Sequence, residues 1–249
     1  MLTDFHAVKA ALSKPNSIWV GRLQRACYCL VREFCNVLFD PRRRRWGPLL
    51  SFFEAFQLGR DRIQVIETTL REVVIVVPER IGDRRGFFSE VWNARHFAAT
   101  GIDLVFVQDN HARSSLKGTL RGLHYQTSPA AQGKLVRVSR GAIFDVVVDI
   151  RRGSPTFGRH VTDIVSADNW RQIWVPPGFA HGYCTLEDDT EVLYKVTDYY
   201  SPEHDRGLRW NDPALMIEWP VRAETAIVSE RDQSLPLLAE QAELFEYGR

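Results

Sequence analysis

The chain has 249 residues, 45% of them hydrophobic and 25% charged, and a formal net charge of +1. That is the composition of an ordinary globular protein, and so small a net charge excludes a whole-molecule role in holding nucleic acid or an anionic membrane. No uninterrupted run of about 18 apolar residues occurs, so no transmembrane helix is expected.

Charge is unevenly placed. Residues 1–64 hold 11 Lys and Arg against 5 Asp and Glu, while the rest of the chain holds 21 against 26. The spacing from Val20 to Phe39 suits a helix, which then meets Pro41 and the self-repelling run Arg42-Arg43-Arg44-Arg45. This segment reads as a basic N-terminal extension, poorly ordered or of doubtful translation; the alternative is a basic arm for an anionic partner. It lacks the apolar core and small-residue cleavage site of a secretory signal. Cys27, Cys29, Cys35 and Cys184 form no paired framework, which suits a reduced, cytoplasmic protein. Residues 65–249 are expected to form one catalytic domain.

From about residue 66 the pattern is that of β structure. Val73–Val77 is a β-branched run ended by Pro78, and Leu104–Val107 is a second short apolar run. Between them, Asn93–Ala99 reads as a helix. Lys134–Ser139 and Ala142–Ile150 read as two strands around a tight turn at Arg140-Gly141. In the second of these, Phe144, Val146, Val148 and Ile150 share one face. Asp145 and Asp149 share the other, as in a strand that lines a polar cavity. Gln172–Val175 and Glu191–Tyr199 follow, the latter placing Val192, Tyr194 and Val196 on a common face. A further helix is expected near Leu235–Phe245. Short strands punctuated by Gly and Pro predict a mainly all-β fold, an antiparallel jelly roll with a few short helices.

The chemistry starts at His124, in Arg121-Gly122-Leu123-His124-Tyr125-Gln126. A lone strand histidine is more often structural than catalytic, and its company changes that balance. Lys134 heads the next strand and Asp145 lies beyond the turn. A histidine takes up a proton near neutrality, and a lysine holds developing negative charge. These are the parts needed to remove a proton beside a carbonyl. The second cluster, Pro176-Pro177-Gly178-Phe179-Ala180-His181-Gly182, resembles the second sequence motif of cupins. Cupin metal sites also use an earlier His-x-His, and here that position reads His124-Tyr125-Gln126. Tyr and Gln are poor ligands for a transition metal, so no metal and no other cofactor is expected.

Longer stretches make the resemblance specific. Arg85-Gly86-Phe87-Phe88-Ser89-Glu90, Phe106-Val107-Gln108-Asp109-Asn110 and Leu120-Arg121-Gly122-Leu123-His124 occur in order. They are followed by Gln132-Gly133-Lys134-Leu135-Val136-Arg137, Asp145–Arg151, Ser154-Pro155-Thr156-Phe157-Gly158, Pro177–Gly182, Tyr194-Lys195 and Trp210-Asn211-Asp212. Together these motifs resemble the dTDP-4-dehydrorhamnose 3,5-epimerase family of the cupin superfamily, over roughly residues 66–245.

The resemblance implies a nucleotide-linked 4-keto-6-deoxyhexose as substrate, whose C3 and C5 protons the C4 ketone makes acidic. It implies His124 as general base oriented by Asp232, Lys134 as stabiliser of the enolate oxygen, and Tyr194 as proton donor from the opposite face. It assigns the nucleotide end to Arg85, Glu90, Gln108, Asp109, Asn110, Arg121, Lys134 and His181, with Asp205 and Arg231 where Glu and Lys are usual in the family. Those two exchanges keep charge and alter reach, which bears on nucleotide-base preference. The family also implies a homodimer in which some of these residues cross to the partner. An epimerase acting at C3 or C5 alone would carry the same catalytic residues, so no motif separates the two. A catalytically silent sugar-nucleotide-binding cupin is opposed by the presence of all four catalytic side chains.

Overall fold

The computed structural model describes residues 63–248. The basic extension and the helix expected within it lie outside the described residues, apart from Ile63 and Gln64. Those two open the first strand, β1 (Ile63–Glu67). In chain order there follow β2 (Val74–Pro78), β3 (Ile81–Asp83), β4 (Gly86–Phe88), helix α1 (Ala94–Ala98), β5 (Gln108–Ser114) and β6 (Thr119–Gln126). Next come β7 (Lys134–Arg140), β8 (Ala142–Asp149), β9 (Arg151–Arg152), β10 (His160–Ser166), β11 (Gln172–Val175), β12 (Phe179–Thr185) and β13 (Thr190–Val196). The last elements are β14 (Asp205–Gly207), β15 (Ile227–Val228), helix α2 (Glu230–Gln233), a 3-10 turn at Leu238–Glu240 and β16 (Phe245–Glu246).

Two six-stranded sheets carry the fold. One has the order β1-β2-β11-β7-β13-β5; the other runs β10-β8-β12-β6-β14, with β15 added beside β6. Every pairing within them is antiparallel except β15 with β6. Alternation along the strands explains why the sheets stack. Val136, Val138, Ile173 and Val192 of the first sheet meet Ile143, Val147, Val165 and Phe179 of the second in one buried cluster. Each such side chain contributes about 1.5–3 kcal/mol when fully buried. The outer faces are covered too. Val146, Val148 and Ile150 pack under Leu208, Leu215 and Leu238, while Leu135 and Trp174 pack under Phe97 of α1. Sheets covered on both faces have little freedom to slide, and the candidate site lies in an open region between them.

Several expectations needed correction. Leu104–Val107 forms no strand; β5 starts one residue later and is polar, Gln108 to Ser114. Leu104 and Phe106 anchor an extended lead-in against Trp92 and Trp174, and Val105 is left 77% exposed. Apolar content there records anchoring, not ladder pairing. The two strands expected around the turn at Arg140-Gly141 do form, as β7 and β8, and they belong to different sheets. Gly141, at φ +76°, turns the chain from one sheet to the other where a Cβ would come within 2.5 Å of the Thr190 hydroxyl. The helix expected over Leu235–Phe245 is a single 3-10 turn followed by β16. Pro236 and long-range hydrogen bonds account for this: Leu238 N donates to Asp212, the Gln241 side-chain amide to Gly207 O, and Arg152 to Gln241 O. The helix expected at Asn93–Ala99 forms as α1, with Asn93 accepting from the Arg95 and His96 amides.

Candidate active site

A cavity of about 480 Å³ opens between the sheets. His124, Arg121, His181 and Tyr183 line it from β6 and β12; Lys134 and Tyr194 line it from β7 and β13 of the facing sheet. A second cavity of about 330 Å³ continues it, sharing His124, Lys134, Tyr194 and Arg231 and adding Gln108, Asn110 and Asp205. The two form one trough with the imidazole on one wall and the phenol and ammonium on the other.

His124 owes its position to close strand packing. Gly122 lies so near β12 that a Cβ there would sit 2.5 Å from Gly182 Cα. This close approach brings His124 directly opposite His181 in the ladder. The Asp232 carboxylate reaches His124 from α2, where the Ser229 hydroxyl caps the helix by accepting from Asp232 N. One Asp232 oxygen bonds the His124 ring at 2.7 Å and the other accepts from Gly122 N at 3.2 Å. A carboxylate only accepts, so the bonded ring nitrogen carries the hydrogen and the other nitrogen is free to take a proton. Burial pushes the Asp232 carboxyl up. The bond to His124, the His124 charge, the Gly122 amide and Arg231 together outweigh it, leaving the carboxyl below its usual range.

Lys134 sits partly buried, its Nζ donating to His124 O at 3.2 Å. Burial lowers the Lys134 pKa to about 8, with Asp205 and Asp145 pulling weakly the other way. Burial likewise raises the Tyr194 phenol, against the opposing charge of Arg121. The pair therefore offers a cation that titrates just above neutrality and a phenol that keeps its proton.

The remaining expected residues divide into two groups. His181 is held by Asp145 at 2.8 Å, and Arg121 bonds Ser114 at 3.3 Å. Arg231 pairs with Asp205 at 2.7 Å, and Tyr200 donates to the same carboxylate at 3.0 Å. Gln108 donates to Asn110 at 2.9 Å. All of these line the trough except Ser114 and Asp145. Arg85, Glu90 and Asp109 do not. The Arg85 side chain is 84% exposed on the β3–β4 hairpin and paired with Asp83. Glu90 bonds His96 at 2.6 Å, and Asp109 is tied to Lys195 at 2.8 Å. Sequence reasoning missed Tyr183, Ser229 and Tyr200. Tyr183 carried a usable signal, being two residues beyond His181 on the same face of β12.

Among the described residues no three His, Cys, Asp or Glu side chains converge as a metal site. No described helix is long and apolar enough to cross a membrane.

Comparison with known proteins gives the same answer as the geometry. The sequence family described as dTDP-4-dehydrorhamnose 3,5-epimerase matches residues 67–240. The chain is 50% identical to the dTDP-4-dehydrorhamnose 3,5-epimerase of Sinorhizobium fredii over 187 residues, 75% of this chain and 95% of that protein. Among solved structures, the Bacillus anthracis enzyme of that name, with TDP and pyrophosphate bound, superposes with a TM-score of 0.69. It is 50% identical, over 70% of this chain and 99% of that one. A Legionella pneumophila dTDP-6-deoxy-D-glucose-3,5-epimerase in complex with dTDP-4-keto-L-rhamnose gives a TM-score of 0.72 at 47% identity, over 75% of this chain and all of that one (100%). With two stacked sheets, a His–Asp pair on one wall facing Lys and Tyr on the other, and this degree of likeness, the chain belongs to the dTDP-4-dehydrorhamnose 3,5-epimerase family.

Proposed function

We propose that the chain inverts C3 and C5 of dTDP-4-dehydro-6-deoxy-D-glucose, giving dTDP-4-dehydro-L-rhamnose for dTDP-L-rhamnose synthesis. The observation that carries this reading is the division of groups between the two walls, His124 with Asp232 on one and Lys134 with Tyr194 on the other. Inversion needs that division, since a proton must leave one face of a carbon and return to the other.

His124 removes the proton at C3 or C5, and Asp232 stabilises the imidazolium that results. The electron pair moves into the C4 ketone, whose oxygen becomes an enolate beside the Lys134 ammonium. Tyr194 then gives its proton to the opposite face. The phenolate regains a proton from solvent, the imidazolium releases one, and the cycle repeats at the second carbon.

Arg121 and His181 hold the diphosphate, for which a planar guanidinium can pair two oxygens at once. Gln108, Asn110, Asp205 and Arg231 hold the nucleoside end in the second cavity. Asp109, engaged by Lys195, serves to fix β5 beside them. Arg85 and Glu90 act in the trough of a second copy, so the working unit is a homodimer. That arrangement is supported by an 84% exposed Arg85 side chain on a hairpin whose Phe87 and Phe88 are 54% and 70% exposed. The same proposal makes it a cytoplasmic enzyme, in line with cysteines that form no paired framework.

Solvent deuterium exchange with dTDP-4-keto-6-deoxyglucose tests the reading. Label entering both C3 and C5 is the expected result. Label at one carbon alone makes the protein a single-position epimerase, and binding without exchange makes it a silent cupin.

A further inference from the structure

Two buried side-chain oxygens have no hydrogen-bond partner among the described residues: Asp145 Oδ1 and Asp163 Oδ2. They are not independent. Asp163 on β10 stands directly opposite Asp145 on β8 in the antiparallel ladder. Their neighbours two residues away, Ile143, Val147, Val161 and Val165, belong to the cluster between the sheets, so both carboxyls point inward. Directly opposed residues on such strands hold their Cβ atoms about 4.5–5.5 Å apart. Each carboxyl uses its other oxygen: Asp145 Oδ2 binds the His181 ring at 2.8 Å, and Asp163 Oδ1 accepts from Arg171.

Two ionised carboxylates in that position would repel each other and leave two buried acceptors unmet. One proton resolves both problems. We propose that Asp163 carries this proton on Oδ2 and donates it to Asp145 Oδ1, so that Asp163 is a positioning residue that acts through Asp145 on His181. Burial, followed by an opposing Arg171 charge, leaves the Asp163 carboxyl above its usual range, and Asp145 pushes it the same way. With its second oxygen satisfied, Asp145 fixes the His181 ring at the cavity wall. Asp145 also acts on Tyr183 of β12 and on Lys134 of the facing sheet, and Arg171 pairs with Asp163. Loss of the shared proton would set a second negative charge against the one His181 leans on.

This inference rests on the proposed role of His181 only for its kinetic consequence. Its direct test does not depend on the reaction. The infrared spectrum of the full chain in deuterated buffer at neutral pH, compared with that of Asp163→Asn, should show a protonated-carboxyl stretch in the wild type alone. That band should disappear along a single titration as pH is raised. A wild-type spectrum without it, with both groups ionised and a water between them, overturns the proposal. So does a band that survives in Asp163→Asn. In turnover, Asp163→Asn keeps a donor for Asp145 and should hold KM within about twofold of wild type. Asp163→Val strands the Asp145 oxygen and should raise KM about tenfold with kcat changed less. Equal KM values in the two variants would remove the positioning role, and the spectrum decides the shared proton even if Asp163→Val fails to fold.

Discussion

Among the described residues, two histidine–aspartate pairs have nearly the same bond, 2.7 Å for His124–Asp232 and 2.8 Å for His181–Asp145. Their histidines face each other across the β6–β12 ladder, yet their surroundings differ. The first imidazole is 29% exposed on the trough; the second is 8% exposed and its carboxylate fully buried. Asp232 comes from a short helix 108 residues away in sequence and is satisfied at both oxygens. Asp145 comes from the neighbouring strand and is satisfied at one. The same chemical pair thus yields a group that can exchange a proton with a ligand and a group that is held still.

The sharpest way to break this contrast is to remove each histidine. His124→Ala should lower proton exchange on the order of 10³-fold or more, since a positioned base supplies about 10²–10⁴-fold. Nucleotide affinity should stay within a few fold. His181→Asn should do the reverse, raising KM about tenfold with kcat little changed. Steady-state kinetics with nucleotide binding measured by calorimetry would compare them. If His181→Asn lost exchange as completely as His124→Ala, the two pairs would not divide their labour as argued.

The opposite wall sharpens the comparison next. Tyr194→Phe removes the donor and leaves the base, so inversion should fall about 10²-fold while label is still lost from C3 and C5 through return to the same face. Following exchange and product configuration by NMR separates the two events. Loss of both in parallel would place Tyr194 in proton removal.

Lys134 gives a pH signature. In the proposed mechanism its ammonium stabilises the enolate, and burial lowers its pKa to about 8. As pH rises through that value the cation is lost, so kcat/KM should fall about tenfold per pH unit above it. The raised Tyr194 phenol stays protonated over the same range and does not set this limb. Lys134→Arg keeps the charge at high pH and should move the limb upward. An unchanged limb in Lys134→Arg would assign it to another group.

The legible parts of this molecule were those in which adjacent sequence carries one physical requirement. The apolar segments ending at Pro78 and Val175 form strands because they are buried or half-buried along their whole length, on both faces of the sheet. The motifs around His124, Lys134, His181 and Tyr194 place those side chains around one cavity. What stayed hidden depends on partners far along the chain. The polar strand β5 shows no apolar alternation because Gln108 and Asn110 face the trough, and Asp109 pairs outward with Lys195. The 3-10 turn at Leu238–Glu240 is fixed by Asp212 and Gly207, which no local pattern announces. The Asp145–Asp163 contact needs the β8–β10 register, and sequence alone does not supply it.

The smallest expected effect lies in stability and runs against activity. Lys134 is protonated in both folded and unfolded chains at pH 7, but only the folded chain holds the charge partly buried, which lowers its pKa from 10.5 to about 8. Between those two values the unfolded chain binds more protons, so stability should rise with pH across that window. Below about pH 8 the full burial cost remains. Lys134→Met removes that cost and keeps a similar unbranched stem, at the loss of the hydrogen bond to His124 O. The net gain at pH 7 should be about 1 kcal/mol, or roughly 2–4 °C in Tm for a domain of this size, in a variant that no longer turns over. The gain should shrink as pH is raised from 8 toward 10.5, because the wild type sheds its burdened proton while Met has none to lose. Thermal unfolding of both proteins at pH 7 and pH 10 checks the sign. A Met variant less stable than wild type at pH 7 would mean that the bond to the His124 carbonyl outweighs the burial of the ammonium, and that this wall of the trough is built for stability as well as for chemistry.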